Sequence, residues 1–129
     1  MLNWFLMNSS INELKLRFKT WAVKGVLFTR LFPKEPDFKA IRNQMVRCIP
    51  SSAVNYRAAC RAKSQADFIN KLKIVEEELD ESMFWFEFVI ALEPSLRPEI
   101  ISLYKEADEL LSITVSSIKK ARAKSNQGK

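Results

Sequence analysis

Five carboxylates, Glu76, Glu77, Glu78, Asp80 and Glu81, fall within six consecutive residues. Acidic side chains at that density invite a search for metal binding or acid–base chemistry. Glu77 and Glu81 are four apart, so on a helix they share a face. Carboxylate-bridged metal centres in helical bundles also draw a Glu-x-x-His pair from facing helices. The chain has no histidine among its 129 residues, which removes His-based triads, His-ligated zinc and imidazole proton shuttles as well. A general acid–base pair needs a pocket and a nucleophile beside it, and no segment supplies either. Only two glycines occur, Gly25 and Gly128, so there is no glycine-rich phosphate loop. We expect no catalytic residue, no metal, no cofactor and no small-molecule substrate. The chain reads as a non-enzymatic protein whose carboxylates pair with basic helices.

The second set with chemical capacity is basic. Lys39, Arg47, Arg57 and Arg61 project within an arc of roughly 80° on one helix, opposite its apolar side. Such a ridge suits phosphate contacts through guanidinium forks. It could equally be a solvated face, or Arg57 and Arg61 could pair with Glu78 and Glu81 across an interface. Tyr56 beside Arg57 could stack on a base, although its place on the apolar stripe favours a structural role. Asn55, among small residues, is expected to be a buried hydrogen-bonder that fixes helix register, with Ser82 or a carboxylate of the third helix as partner.

Net charge is +6, from 21 basic and 15 acidic residues. Residues 1–34 carry 6 basic and 1 acidic, residues 35–63 carry 6 and 2, residues 64–92 reverse to 2 and 7, and residues 93–129 carry 7 and 5. The basic first half could attract nucleic acid. It could also complement the acidic third segment, within a subunit or between subunits. The cationic run Lys119, Lys120, Arg122 and Lys124 complements a helix dipole, with RNA contact as the other reading.

The elements that must position these groups are helical. Hydrophobic residues at 47% and charged residues at 28% exclude a disordered chain, and the length is that of one domain. Pro33 and Pro36 end the first periodic segment; Pro94 and Pro98 separate the third from the fourth. We read one domain over 1–129, all-α, with helices at about 10–31, 37–62, 64–92 and 97–124. Short connections make it an antiparallel up-down-up-down four-helix bundle. Helix 1 carries the stripe Ile11, Leu14, Phe18, Trp21, Gly25, Phe28 and Phe32, with Gly25 permitting a close helix approach. Helix 2 carries Phe38, Ile41, Met45, Cys48, Ser52, Tyr56 and Ala59, and Pro50 inside it is expected to kink or briefly break the helix. Helix 4 carries Ile100, Tyr104, Ala107, Leu111, Thr114 and Ile118.

Helix 3 has two seams on opposite sides. One runs Phe68, Leu72, Val75, Leu79, Ser82 and Phe86; the other runs Ile74, Glu78, Glu81, Trp85, Phe88 and Leu92. One broad stripe is enough for a bundle helix. The second seam is therefore expected to be a subunit interface, unless the 93–98 connection covers Trp85 and Phe88. Its carboxylates would draw basic partners from a neighbour, such as Lys19, Lys24 or Arg57. Cys48 and Cys60 lie 12 residues apart, about 18 Å along one helix, too far to bridge. Free thiols, a Met1–Met7 stretch without a basic leader or cleavage site, and no long apolar run point to the cytoplasm, away from the membrane.

Residues 44–88 read QMVRCIPSSAVNYRAACRAKSQADFINKLKIVEEELDESMFWFEF. This resembles the bacterial four-helix-bundle family often encoded in intervening sequences of large-subunit ribosomal RNA genes. That family shows Gln-Leu-x-Arg-Ser, a small-residue turn into Ala-Asn-Tyr-Arg-Glu-Ala, then Ser-x-Ala-Asp-Phe-Ile-x-Lys-Leu and an acidic helix with Glu-x-x-x-Trp-Leu. The matching positions are Gln44, Arg47, Asn55, Tyr56, Arg57, Ser64, Ala66, Asp67, Phe68, Ile69, Lys71, Leu72, Glu81 and Trp85, and weaker similarity covers about 13–122. Ala58 stands where many members have Glu, and Pro50-Ser51-Ser52 replaces a more usual Ser-Ile-Gly. The resemblance implies an antiparallel bundle that assembles as a ring-shaped homo-oligomer, typically a pentamer. It also implies a distant similarity to the accessory protein of diversity-generating retroelements, a basic pentameric barrel that binds a reverse transcriptase and nucleic acid. The resulting expectation is an oligomeric scaffold that binds RNA or DNA, RNA in the first place, through the basic ridges of helices 1 and 2. The alternative is a protein-interaction module with no nucleic-acid role.

Overall fold

Apolar residues at helical spacing fold into four helices. The structure, a computed structural model, describes residues 2–127, with side chains over 10–126; the reading of the Met1–Met7 side chains lies outside the described residues. Helix α1 spans Leu2–Phe28 and ends in a 3₁₀ turn, Thr29–Leu31; α2 spans Pro36–Ala59, α3 Gln65–Leu92 and α4 Arg97–Gln127, the last preceded by a 3₁₀ turn at Pro94–Leu96. Among the described residues there is no strand. Each helix packs on its chain neighbours and α1 closes on α4, the arrangement of an antiparallel four-helix bundle. No helix among the described residues is long and apolar enough to cross a membrane.

Local chemistry sets the boundaries. Pro36 opens α2 at a position where its missing N–H costs nothing. Ser64 caps α3, its extended backbone placing Oγ to accept from Asp67 N at 3.0 Å. Helix α2 stops at Ala59, three residues before its expected end. There the chain tightens, with Arg61 N donating to Ala58 O and Ala62 N to Ala59 O. Helix α1 starts earlier than expected, and α4 continues three residues beyond 124.

The core is built from the expected stripes. In α1 Phe18, Trp21, Gly25 and Phe28 are buried, and in α2 every residue from Phe38 through Ala59 on the stripe is buried. A Cβ added at Gly25 would lie 3.1 Å from both Cδ1 and Cγ2 of Ile49, so the missing side chain lets α1 approach α2. Trp21 Nε1 donates to Leu103 O at 2.9 Å, and Arg17 binds Glu106 and Glu109 at 2.7 and 2.9 Å. These contacts close α1 on α4. The expected break at Pro50 does not occur: α2 is continuous across it. Ile49 and Ser52 on either side are fully buried, and packing holds the helix where one backbone hydrogen bond is missing.

Candidate functional site

Two surfaces of the bundle carry more than a core requires. On the first, α1 and α2 leave a continuous groove. One half is lined by Lys15, Leu16, Lys19, Ala53, Val54, Arg57 and Arg61. The other half is lined by Val23, Val26, Leu27, Arg30, Pro50, Ala53 and Val54, and shares Lys19 with the first. Its side chains alternate off the core stripe of each helix, so aliphatic residues form the floor and basic residues the rim. No carboxylate lines either half. Leu16 and Val54 remain more than 60% exposed.

The structure divides the four residues of the basic ridge. Arg57 and Arg61 are exposed on this groove together with Lys19 of α1, and half-buried Lys15 lines it beside them. Lys39 is exposed far along α2, near its start. Arg47 turns the other way: Nη2 donates to Glu81 Oε2 at 2.5 Å and Nη1 lies 3.5 Å from Glu78 Oε2. Glu81, then Glu78, hold its guanidinium above the ordinary arginine value. The expectation that Glu78 and Glu81 draw cations from a neighbouring subunit is therefore corrected: their basic partner is Arg47 of the same chain. Arg57 and Arg61 make no ion pair among the described residues. Arg57 lies nearly three helical turns beyond Arg47 and Arg61 lies past the end of α2, out of reach of those carboxylates.

The second surface is the outer side of α3. Phe84, Trp85 and Phe88 form an edge-packed cluster, with ring centroids 5.0, 5.6 and 5.9 Å apart. Phe84, Phe88 and Leu92 are exposed, so the connection after α3 does not cover them. Trp85 is half-buried, and its Nε1 donates to Glu81 Oε2 at 3.4 Å. Glu81 thus ties the indole to Arg47. Ile74, half-buried, lies about 16 Å upstream of Trp85 along the helix, and the aromatic cluster does not include it. Phe84 was not singled out by the seam, because it falls one residue off the three-four spacing. The local run MFWFEF was the signal for it.

Beneath this surface the layer is polar but inert. Cys48 and Ser82 are both fully buried. Ser82 Oγ donates to Glu78 O at 2.7 Å and lies 3.4 Å from Cys48 Sγ. Burial pushes the Cys48 thiol up to about 11, which suppresses its thiolate. Glu78 Oε2 is buried without a hydrogen-bond partner and relies on the charge of Arg47. Asn55 does not bridge helices: its Nδ2 donates to Ser51 O at 2.9 Å and Ser51 Oγ at 3.2 Å, within α2. The register contact expected of it is made instead by Ser82 and Cys48. Tyr56 stacks on Phe18 with centroids 4.6 Å apart, and its buried ring offers no platform for a base.

No family model matches the chain, and no curated protein is similar enough to count as a relative. A solved structure is similar over most of its length: a protein of unknown function from the S23 ribosomal protein family of Bacteroides thetaiotaomicron VPI-5482. The two share 31% sequence identity at a TM-score of 0.77, over 84% of this chain and 97% of the other.

Proposed function

Since the chain belongs to the S23 ribosomal protein family, we propose that it is a non-enzymatic, homo-oligomeric scaffold that binds nucleic acid, RNA in the first place, through phosphate contacts. The family name points toward RNA. The observation that carries the reading is the groove of α1 and α2. Four cations, Lys15, Lys19, Arg57 and Arg61, surround it, no carboxylate lines it, and none of the four is in an ion pair among the described residues. Lys15 and Lys19 are one turn apart on α1, about 6 Å along the helix, and Arg57 near the end of α2 with Arg61 just beyond it sets a second pair of charges across the groove. Such contacts grip the backbone and carry little sequence information. Two free cysteines fit a reducing compartment, the cytoplasm.

The α3 face supports the oligomer. Its exposed aromatics, meeting a surface other than the groove on the next copy, make a heterologous contact, which closes into a ring when the rotation allows and leaves the groove open. The resemblance to the intervening-sequence family supports a count of five subunits for that ring.

The test is anisotropy titration of single- and double-stranded RNA at rising salt. We expect micromolar or tighter binding in low salt, with log affinity falling by about 0.7 per phosphate contact on single strands. The variant Lys15→Gln, Lys19→Gln, Arg57→Gln, Arg61→Gln should lower that slope by up to about 3. A wild-type protein that binds no probe, or a quadruple variant that binds like wild type, overturns the reading.

A second reading, protein interaction alone, is favoured by the aliphatic floor of the same groove. If α3 of another copy fills it, Lys19 and Arg57 are neutralised there. The assembled protein would then ignore RNA, whereas monomers freed by Trp85→Ala with Phe88→Ser would bind it.

A further inference from the structure

The fold gathers positive charge at one end of the bundle, from segments far apart in the chain. Gln65 Nε2 donates to Ala121 O at 3.0 Å, so the last turns of α4 lie beside the connection from α2 to α3. Ile113 and Ser117 of α4 line one depression with Tyr56, Cys60 and Lys63, which places the same elements together independently. Arg61 and Lys63 from the connection, and Lys119, Lys120, Arg122 and Lys124 from α4, are all exposed at this end. None is in an ion pair among the described residues. Two acidic residues lie in the segments around it. Asp67 has its carboxylate engaged, accepting from Lys63 N at 3.3 Å; Glu13 is exposed on α1. At the opposite end five cations, Arg30, Lys34, Lys39, Arg42 and Arg97, stand against four carboxylates, Glu35, Asp37, Glu93 and Glu99. The net charge of +6 is therefore lopsided along the bundle axis.

Helix dipoles account for only part of this. Two helix C-termini meet here, and each favours cations, but the effect fades within the last turn. Lys119 and Lys120 lie before the last turn of α4, which runs to Gln127, and Arg61 and Lys63 lie beyond the end of α2. Unneutralised like charges repel one another, so a fold gains nothing by collecting them. A polyanion gains from them. The exposed aromatics, Phe84 and Phe88, are on the outer side of α3, at positions 84 and 88 of a helix whose residue 65 marks the basic end. Among the residues whose side chains the structure describes, no exposed aromatic lies at the basic end to stack on a base.

We propose that this end is the principal nucleic-acid contact and that it grips the phosphate backbone of base-paired RNA, without stacking on bases. The proposal rests on the nucleic-acid reading above and deepens it. Arg61 joins the groove to the end, so the two surfaces are continuous.

The experiment compares wild type, the groove variant above and an end variant, Lys119→Gln, Lys120→Gln, Arg122→Gln, Lys124→Gln. Each is titrated in salt against an RNA duplex and against a single strand of the same length. The end variant should lose about 3 to 4 from its salt slope on the duplex, and more affinity than the groove variant loses. Its melting temperature should hold or rise, because repulsion is relieved; a merely structural role predicts a fall. An end variant with wild-type slope overturns the inference while leaving the groove reading intact. A wild type that binds neither probe overturns both. A tenfold preference for the single strand overturns the base-paired assignment. Retention on phosphatidylserine vesicles that the duplex does not displace overturns it in favour of a membrane surface.

Discussion

The groove of α1 and α2 and the outer side of α3 both expose apolar side chains that the core does not need, yet they differ in how their charges are settled. On α3 the carboxylates of Glu78 and Glu81 are met by Arg47 inside the chain, and the apolar residues are aromatic. On the groove the cations have no partner among the described residues, and the apolar residues are aliphatic. A charge balanced within the subunit is unavailable to anything outside it. An unbalanced set, held by two rigid helices, is available without rearrangement. On the proposed function, the difference separates a face for packing from one for an anion, although both lie off the core stripes of amphipathic helices.

The largest effect expected from breaking this comparison is on the α3 face. Trp85→Ala with Phe88→Ser should release soluble monomers of unchanged helicity, since truncating an interface tryptophan can cost about 2–4 kcal/mol. Light scattering after size exclusion, beside circular dichroism, measures it. A wild-type monomer at tens of micromolar removes the interface altogether.

Next is the buried layer beneath that face. Below its ordinary value of 9.0 the Cys48 thiol is neutral in both folded and unfolded chains. Between 9.0 and about 11 only the unfolded chain ionises, so stability falls as pH rises through that window. The loss approaches about 2 kcal/mol at the top. Urea unfolding from pH 8 to pH 10 should show the decline, and Cys48→Ala should flatten the part between 9 and 10. The buried Tyr56 phenol, also raised by burial, adds its own decline higher up.

The groove has a matching test at its base. Gly25→Ala gains about 1 kcal/mol of helix propensity but sets a methyl group against Ile49, which is fully buried and has little room to yield. Overpacking of this kind costs about 1–3 kcal/mol. A net loss of about 1 kcal/mol is expected in thermal unfolding, and a stabilised variant would show that α1 can stand further from α2.

The smallest effect is the most diagnostic. Arg47→Gln should lower stability modestly by leaving Glu78 Oε2 without its counter-charge, and Glu78→Gln added to it should restore most of the loss. RNA affinity should be nearly unchanged, because Arg47 is already paired. A salt slope reduced by a full contact would return Arg47 to the binding ridge.

The bundle was legible because a three-four stripe survives any packing arrangement. Phe38 through Ala59 on α2 is apolar on one side whatever lies opposite, and burial drives that side inward. The close approach at Gly25 was legible for a related reason, since a mid-helix glycine is costly unless a neighbour uses the space. Pairings were less legible. Asn55 looked like an inter-helix contact, but its neighbour Ser51 lies one turn away and satisfies it locally. Arg47 looked like one member of a ridge of four. Whether a long side chain stays in its row or leans into the next helix depends on the rotation and register of that helix.

By itself the chain determined that there are four helices, which stripe of each is buried, and that helix 3 has more apolar surface than one bundle needs. These follow from residue spacing and local hydrogen bonding, which act over a few residues. Only the tertiary structure decided that Arg47 leaves the ridge for Glu81, that Lys15 and Lys19 join Arg57 and Arg61 on one groove, and that Lys119–Lys124 meet Arg61 and Lys63 at one end. Those side chains lie 34, 42 and about 60 positions apart in sequence. Electrostatics acts through space over a few ångströms, and only the packed fold sets which charges fall within that distance.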